Sequence, residues 1–451
     1  LRTARTTGRQ TVLRRDGAHS RRAEREHESA RSACAAARAP AIHATSSRNC
    51  HHGGVPESHP LVTHRRSLAL AGGIAGATMA AASAGWLGAG AYLARLLLTP
   101  ERSRPDNVLV TAVDEEAGAL TLEANVETVV PGRYGLWVGG GTGHARLGDI
   151  VDHDAQAGTV TRPVDAVDIG RLTTGPARWD SYYYATDPDT VFDVTCTDVH
   201  VDSEVGPLPA WYVPARQGAT AARWAVLVHG RGATRHETLR AVPVLHDLGF
   251  HVLISEYRNG HGAPASPDGL YNLGLSEWRD VESAVHYATS HGATEVVLFG
   301  WSMGGAVVLQ MLDLSPLSSV VSRVVLDSPV IDWVDVIAHH ARLRRVPAPL
   351  ALLAQGMIGT RWARHLVGVH EPLDVARTSW QVRSDELRHP ILLIHSVDDE
   401  FVPVGPSQKL AACRPDLVRY EEWTTARHVK EWNTDPVRWE RVVSEFAAPS
   451  L

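Results

Sequence analysis

The residues best placed to do chemistry start with Ser302. It stands in Gly300-Trp301-Ser302-Met303-Gly304-Gly305, after the apolar run Val296 to Phe299 and before a stretch patterned as helix. Small residues two before and two after the serine let a strand and a helix approach without a Cβ clash. They also place the hydroxyl on a tight, strained turn. The helix N-terminus behind such a turn offers unpaired N–H groups to an anion. A nucleophilic serine needs a base and an acid to orient it. Ile391 to His395 reads as a buried strand, followed by Ser396-Val397-Asp398-Asp399-Glu400. An acid just past a strand end can orient a histidine and stabilise its charged form. Leu417 to Trp423 reads as the last strand, and the loop after it carries His428. The ordinary pKa of a histidine suits a general base near neutral pH. Upstream, Trp224 to Val228 ends in His229-Gly230-Arg231-Gly232. The backbone N–H of Arg231, paired with that of Met303, is the candidate oxyanion hole.

The elements that must hold these groups alternate. From Asp189 onward, apolar strands exchange with helical patterns. Val191 to Val201 and Leu208 to Val213 read as an antiparallel edge pair, with strands at 224–228, 250–257, 295–299, 323–326, 390–395 and 417–423. Helices are expected at about 235–248, 276–290 and 436–446. This alternation predicts an α/β fold with a mostly parallel sheet covered on both faces. Reactive groups then gather at the carboxyl ends of the strands. Residues 332–387 interrupt the pattern with an amphipathic insertion containing Trp333, Leu350, Met357 and Trp362, and a basic group at Arg342, Arg344 and Arg345. An apolar insertion would suit an acyl chain, and its basic residues a membrane surface or an anionic head group.

With these motifs in hand, residues from about 190 to 451 resemble the serine α/β-hydrolase superfamily. The resemblance rests on His229-Gly230, Gly300-Trp301-Ser302-Met303-Gly304-Gly305, Asp399-Glu400-Phe401-Val402-Pro403 and Arg427-His428-Val429. It implies an α/β-hydrolase fold with a helical cap at about 332–387 and a catalytic triad of Ser302, Asp399 and His428. In that superfamily the acid usually stands in D-x-x-V-P, which matches Asp399 and leaves Asp398 as the alternate. Tyr257-Arg258-Asn259 and Glu277-Trp278-Arg279-Asp280 are similar to bacterial hydrolases of the lysophospholipase or acylaminoacyl-peptidase type.

Before this region the chain changes character. Residues 1–64 are rich in Arg, Ala, Ser and His, too poor in large apolar residues to offset ordering entropy. The chain opens on Leu1 and has no Met before Met79, so a start near Val62 is one reading of it. Ser67 to Ala94 carries no charge, and the apolar run continues through Leu98. Its length predicts a single transmembrane anchor over 67–98, with the catalytic region outside the cytoplasm; a cleaved signal peptide and a soluble buried helix are the alternatives. Residues 105–187 alternate in short strands and read as a small β-rich domain. In that region the run Tyr182-Tyr183-Tyr184 reads as packing or a domain junction.

A net charge of −6 gives no reason for nucleic-acid binding. Four scattered cysteines and no ligand-spaced histidines predict no metal site, and no cofactor is needed. The expected function is a membrane-anchored serine hydrolase acting on a small acyl ester or lipid-like substrate. A peptidase or amide hydrolase on the same residues, and a tethered non-catalytic scaffold, are the alternatives.

Overall fold

The computed structural model describes residues 82–101, 103–217 and 222–448. Seven strands form the first sheet. They are β1 (Val108–Asp114), β2 (Ala119–Glu123), β3 (Tyr134–Val138), β4 (Gly143–Leu147), β5 (Asp152–Asp154), β6 (Thr159–Ile169) and β7 (Gly175–Asp180). Strands β1, β2 and the start of β6 alternate more and less buried side chains, as a sheet with one packed face requires. Their order is β2-β1-β7-β3-β4-β6-β5, and β2 also pairs with β6. Six strands therefore close on themselves and β5 hangs outside. Closure leaves no free edge among the six. Val110, Leu122, Tyr134, Leu136 and Leu147 fill the interior.

The second sheet has eight strands. They are β8 (Thr197–Ser203), β9 (Gly206–Val213), β10 (Arg223–Val228), β11 (His251–Ser255), β12 (Glu295–Trp301), β13 (Val321–Asp327), β14 (Ile391–Ser396) and β15 (Val418–Trp423). The order is β15-β14-β13-β12-β10-β11-β9-β8, parallel from β15 to β11 and antiparallel at β9 and β8. The period-2 alternation of a strand sends Val226 and Leu298 into one core and Leu227 and Phe299 into the other. Both faces are thus buried, which is why these strands read as continuous apolar runs.

In chain order the helices are α1 (residues 82–98), α2 (Pro188–Phe192), α3 (Val242–Asp247), α4 (Trp278–Ser290), α5 (Met303–Leu314), α6 (Trp333–Leu343), α7 (Ala348–Ile358), α8 (Arg364–Val367), α9 (Gly405–Cys413), α10 (Glu431–Thr434) and α11 (Pro436–Ala447). Helices α6, α7 and α8 lie in the segment inserted between β13 and β14, where a cap was expected.

Three expectations need correction. Residues 67–81 lie outside the described residues. The remainder of the expected span does not behave as one. Ala91, Ala94 and Leu98 are buried in the hydrolase core, Leu98 O accepts from Tyr271 N at 2.8 Å, and Arg95 Nη1 donates to Val367 O at 3.0 Å. Among the described residues no helix is long and apolar enough to cross a membrane. An apolar helix satisfied by a protein core looks, in sequence, much like one satisfied by lipid. Second, Pro188–Phe192 is helical where a strand was expected from Val191. Pro188 at the first turn and the Asp187 side chain accepting from Thr190 N start it. Third, the helix expected over 235–248 divides into a 3-10 segment, Arg235–Ala241, and α3. Pro243 falls at the first turn of α3, where it lacks an N–H for a continuous ladder.

Candidate active site

Ser302 sits between β12 and α5 with φ 50° and ψ −117°, a left-handed conformation that a non-glycine residue adopts only under constraint. The constraint comes from close packing. A Cβ on Gly304 would lie 2.2 Å from Val228 O and 2.5 Å from His229 O. Ser302 N donates to Asp327 O at 3.0 Å, and Ser302 O accepts from Val330 N at 3.0 Å. The turn is therefore held from β13 as well as from within.

The loop after β15 brings His428 over this turn. Ser302 Oγ lies 2.9 Å from His428 Nε2, and His428 Nδ1 lies 2.7 Å from Asp399 Oδ2. The Phe401 ring stacks on the His428 ring at 5.1 Å. Of the two candidate acids, Asp399 is the buried one. Asp398 is exposed and instead accepts from Thr425 N at 2.6 Å, tying down the histidine loop. Asp399 is saturated. Its Oδ1 accepts from Phe401 N and Val402 N, both at 2.8 Å, while its Oδ2 also accepts from His395 Nε2 at 3.1 Å. Burial alone would raise the Asp399 carboxyl, but His428 and His395 outweigh it and hold it well below the usual carboxylate range. Burial pulls His428 down, yet Asp399 outweighs that and leaves it raised. Such a histidine keeps Nδ1–H on the acid and Nε2 free to accept from serine.

The segment after β10 is braced from several sides. Gly230 N donates to Glu237 Oε2 at 2.6 Å and Gly230 O accepts from Tyr257 OH at 2.8 Å. His229 places Nδ1 2.9 Å from Gly230 O and Nε2 2.8 Å from Glu256 Oε2. Both ring nitrogens thus face acceptors, and despite its burial Glu256 raises this histidine toward the imidazolium. A Cβ on Gly230 would sit 3.1 Å from Ser302 Cβ, so the segment runs directly against the serine. Arg231 and Ser302 line one cavity. The Arg231 side chain is turned to the chain before the barrel, where its Nη2 donates to Thr99 O at 2.8 Å.

That cavity measures about 260 Å³. Leu93 and Leu97 of α1, Trp333 and Ile337 of α6, and Ala354 and Ile358 of α7 make its walls mostly apolar. The cap also fixes the acid loop, since His339 Nε2 and His340 Nε2 lie 2.9 Å and 3.0 Å from Glu400 O and Phe401 O. Arg342, Arg344 and Arg345 are exposed. Among the described residues no cluster could hold a metal ion.

Some residues at the site carry no motif. His395 was legible only as the end of a strand. Asp327 and Glu431 form a buried carboxyl pair beneath the site. Trp301 Nε1 and Trp439 Nε1 donate to Asp327 Oδ2 at 3.1 Å and 2.9 Å, and Ser328 Oγ donates to Glu431 Oε1 at 2.6 Å. Burial first, then the Asp327 charge, pushes Glu431 well above the usual carboxyl range. Two carboxyl groups buried together disfavour the doubly ionised state, so Glu431 holds its proton more tightly than a free carboxyl.

Comparison with known proteins gives two family matches. The Alpha/beta hydrolase family matches residues 225–448, and a domain of unknown function, DUF8805, matches residues 109–180. An uncharacterized protein of Mycobacterium tuberculosis, in the CDC 1551 and H37Rv strains, is 28% identical over 229 residues, 49% of this chain and 69% of the relative. Among solved structures, the Pyrococcus furiosus esterase Pf2001 aligns with a TM-score of 0.44 at 20% identity, covering 58% of this chain and 93% of that one. The esterase RhEst1 from Rhodococcus aligns with a TM-score of 0.38 at 20% identity, covering 55% and 98%.

Proposed function

This chain is a member of the α/β-hydrolase superfamily, and on that footing we propose that it is a serine hydrolase cleaving the ester bond of small substrates with an apolar acyl part. The observation that carries the reading is Ser302 Oγ at 2.9 Å from His428 Nε2, in the wall of an apolar cavity. Ser302 donates its proton to His428 as Oγ attacks the acyl carbonyl. Asp399 holds Nδ1–H and so fixes the tautomer, and stabilises the imidazolium that forms. The N–H groups of Arg231 and Met303 receive the oxyanion. His428 then gives its proton to the departing alkoxide. Water attacks the acyl-serine, with the same histidine taking its proton. The reading supplies a role for the one side chain that hydrogen-bonds Ser302 Oγ among the described residues. It also accounts for the apolar walls, which desolvate the acyl chain and exclude water from the acyl-serine.

The test is labelling with a fluorophosphonate beside Ser302→Ala. The native chain should label and the variant should not; equal labelling, or none, would refute an activated Ser302. Octanoyl ester and octanoyl amide offered together then decide the bond, and preferential cleavage of the amide would overturn the ester assignment.

A further inference from the structure

A second cavity lies beside the oxyanion segment, and the reaction above leaves it unused. It measures about 640 Å³, larger than the apolar one. Trp137 of β3, Arg178 and Asp180 of β7, and Tyr182 and Tyr184 just beyond wall it from the barrel side, with Tyr271 opposite. The barrel thus contributes surface to a site it does not catalyse.

Position connects the two cavities. Pro100 and Glu101 line both, so the chain leading to the barrel is a strap between them. Arg231 lines the apolar cavity and Gly232 the second. Gly230 abuts Ser302, and two residues of chain reach at most about 7 Å. The second cavity therefore borders the same short segment that runs against Ser302.

Chemistry selects the occupant. The lining carries two cationic side chains, Arg104 and Arg178, and two acidic ones, Asp180 and Glu101. Asp180 lies 3.2 Å from Arg104 and 3.8 Å from Arg178, and Glu101 lies 3.9 Å from Arg231. His236 in the same wall is pushed down to about 4 by burial and by Arg235, and adds no charge near neutral pH. Four aromatic side chains face this balanced set. Arg178 Nε faces Asp180 Oδ2 at 3.8 Å, and the guanidinium stands 5.1 Å from the Trp137 ring. Aromatic faces take C–H surface, while the polar groups between them take hydroxyls.

We propose that this cavity receives the alcohol half of the substrate, and that this half is a neutral, hydroxyl-bearing ring of the glycosyl or cyclitol kind. The acyl half then lies in the apolar cavity, with the ester at Ser302. This placement rests on Ser302 as nucleophile; the binding of the ring rests on the cavity alone.

The experiment uses the full chain and three octanoyl esters, those of glucose, ethanol and glycerol phosphate. In Ser302→Ala, calorimetry should show the glucose ester binding about ten-fold tighter than the ethyl ester. Trp137→Ala or Arg178→Met in the same background should erase that advantage, and Trp137→Phe should keep part of it. In the active chain, Trp137→Ala should raise KM for the glucose ester about ten-fold, well beyond its effect on KM for the ethyl ester. Equal affinity for glucose and ethyl esters, tighter binding of the glycerol phosphate ester, or variants impaired equally on both neutral esters would overturn the proposal. Melting curves separate these from misfolding, and Arg178→Met gives an answer if Trp137→Ala does not fold. Preferential binding without hydrolysis of any ester would refute the hydrolase reading and leave the ring assignment standing.

Discussion

Substituting Asp399 separates orientation from reaction at the single-residue scale. Asp399→Asn keeps the shape but removes the charge that raises His428. The rate kcat should fall on the order of 10⁴-fold, because the histidine loses its fixed tautomer. The acid limb of the pH profile should also move to lower pH, because the histidine then stays neutral further into acid. A profile that falls in height without moving would show that Asp399 does not set the His428 charge. Glu431 gives a stability signature instead. Its carboxyl is raised in the folded state, so its contribution is whole below its ordinary value of 4.5 and is lost as pH rises through the raised value. Glu431→Gln can donate to Asp327 without titrating. Thermal melts from pH 5 to pH 9 should decline less in the variant than in the native chain. Parallel curves would mean that Glu431 does not hold its proton more tightly than a free carboxyl.

Among the elements, α5 and α1 make the sharpest demands. Gly304 is where α5 meets β10, and a Cβ there would collide with two backbone oxygens, which cannot swing aside. Gly304→Ala should cost about 3 kcal/mol and lower the melting temperature together with activity. A stable, active variant would mean that the turn relaxes more than its packing suggests. Helix α1 lies outside the matched hydrolase region, yet Leu93 and Leu97 line the apolar cavity. Leu97→Phe should shorten the preferred acyl chain, read as a shift in kcat/KM across esters of graded length. An unchanged preference would remove α1 from the acyl site.

At the scale of the whole molecule, the barrel grips the loop that carries His428. Arg427 pairs with Glu127 at 2.9 Å and with Glu400 at 2.6 Å, and Lys430 also pairs with Glu127. Asn433 Nδ2 donates to Arg133 O at 2.6 Å and to Ser181 O at 2.9 Å, and Asn433 O accepts from Arg133 N at 2.9 Å. Tyr183 and Tyr184 pack on Trp432 at 5.7 Å and 5.9 Å. Asn433→Ala removes the donor to the Arg133 and Ser181 carbonyls and should cost about 1 kcal/mol. Because it loosens the histidine loop and not the cavities, kcat should fall with KM little changed. A rise in KM alone would place the effect in substrate binding.

The sequence by itself determined the parts that depend on local backbone. A glycine-flanked serine between an apolar strand and a helix allows few conformations, and the order of Ser302, the acid and His428 follows from strand–helix alternation. The closed barrel was legible only as short alternating strands, because its closure depends on the pairing of β2 with β6, far apart in the chain. Only tertiary structure puts Asp399, and not Asp398, against His428. Adjacent residues differ in which way they point, and only Asp399 points into the buried space beside His428. It also decided what residues 87–98 do. An apolar surface is satisfied by any medium that excludes water, and composition does not say which; here α6, α7 and the hydrolase core supply it. The second cavity, His395 and the Asp327–Glu431 pair carried no motif, since each exists only where segments distant in sequence meet.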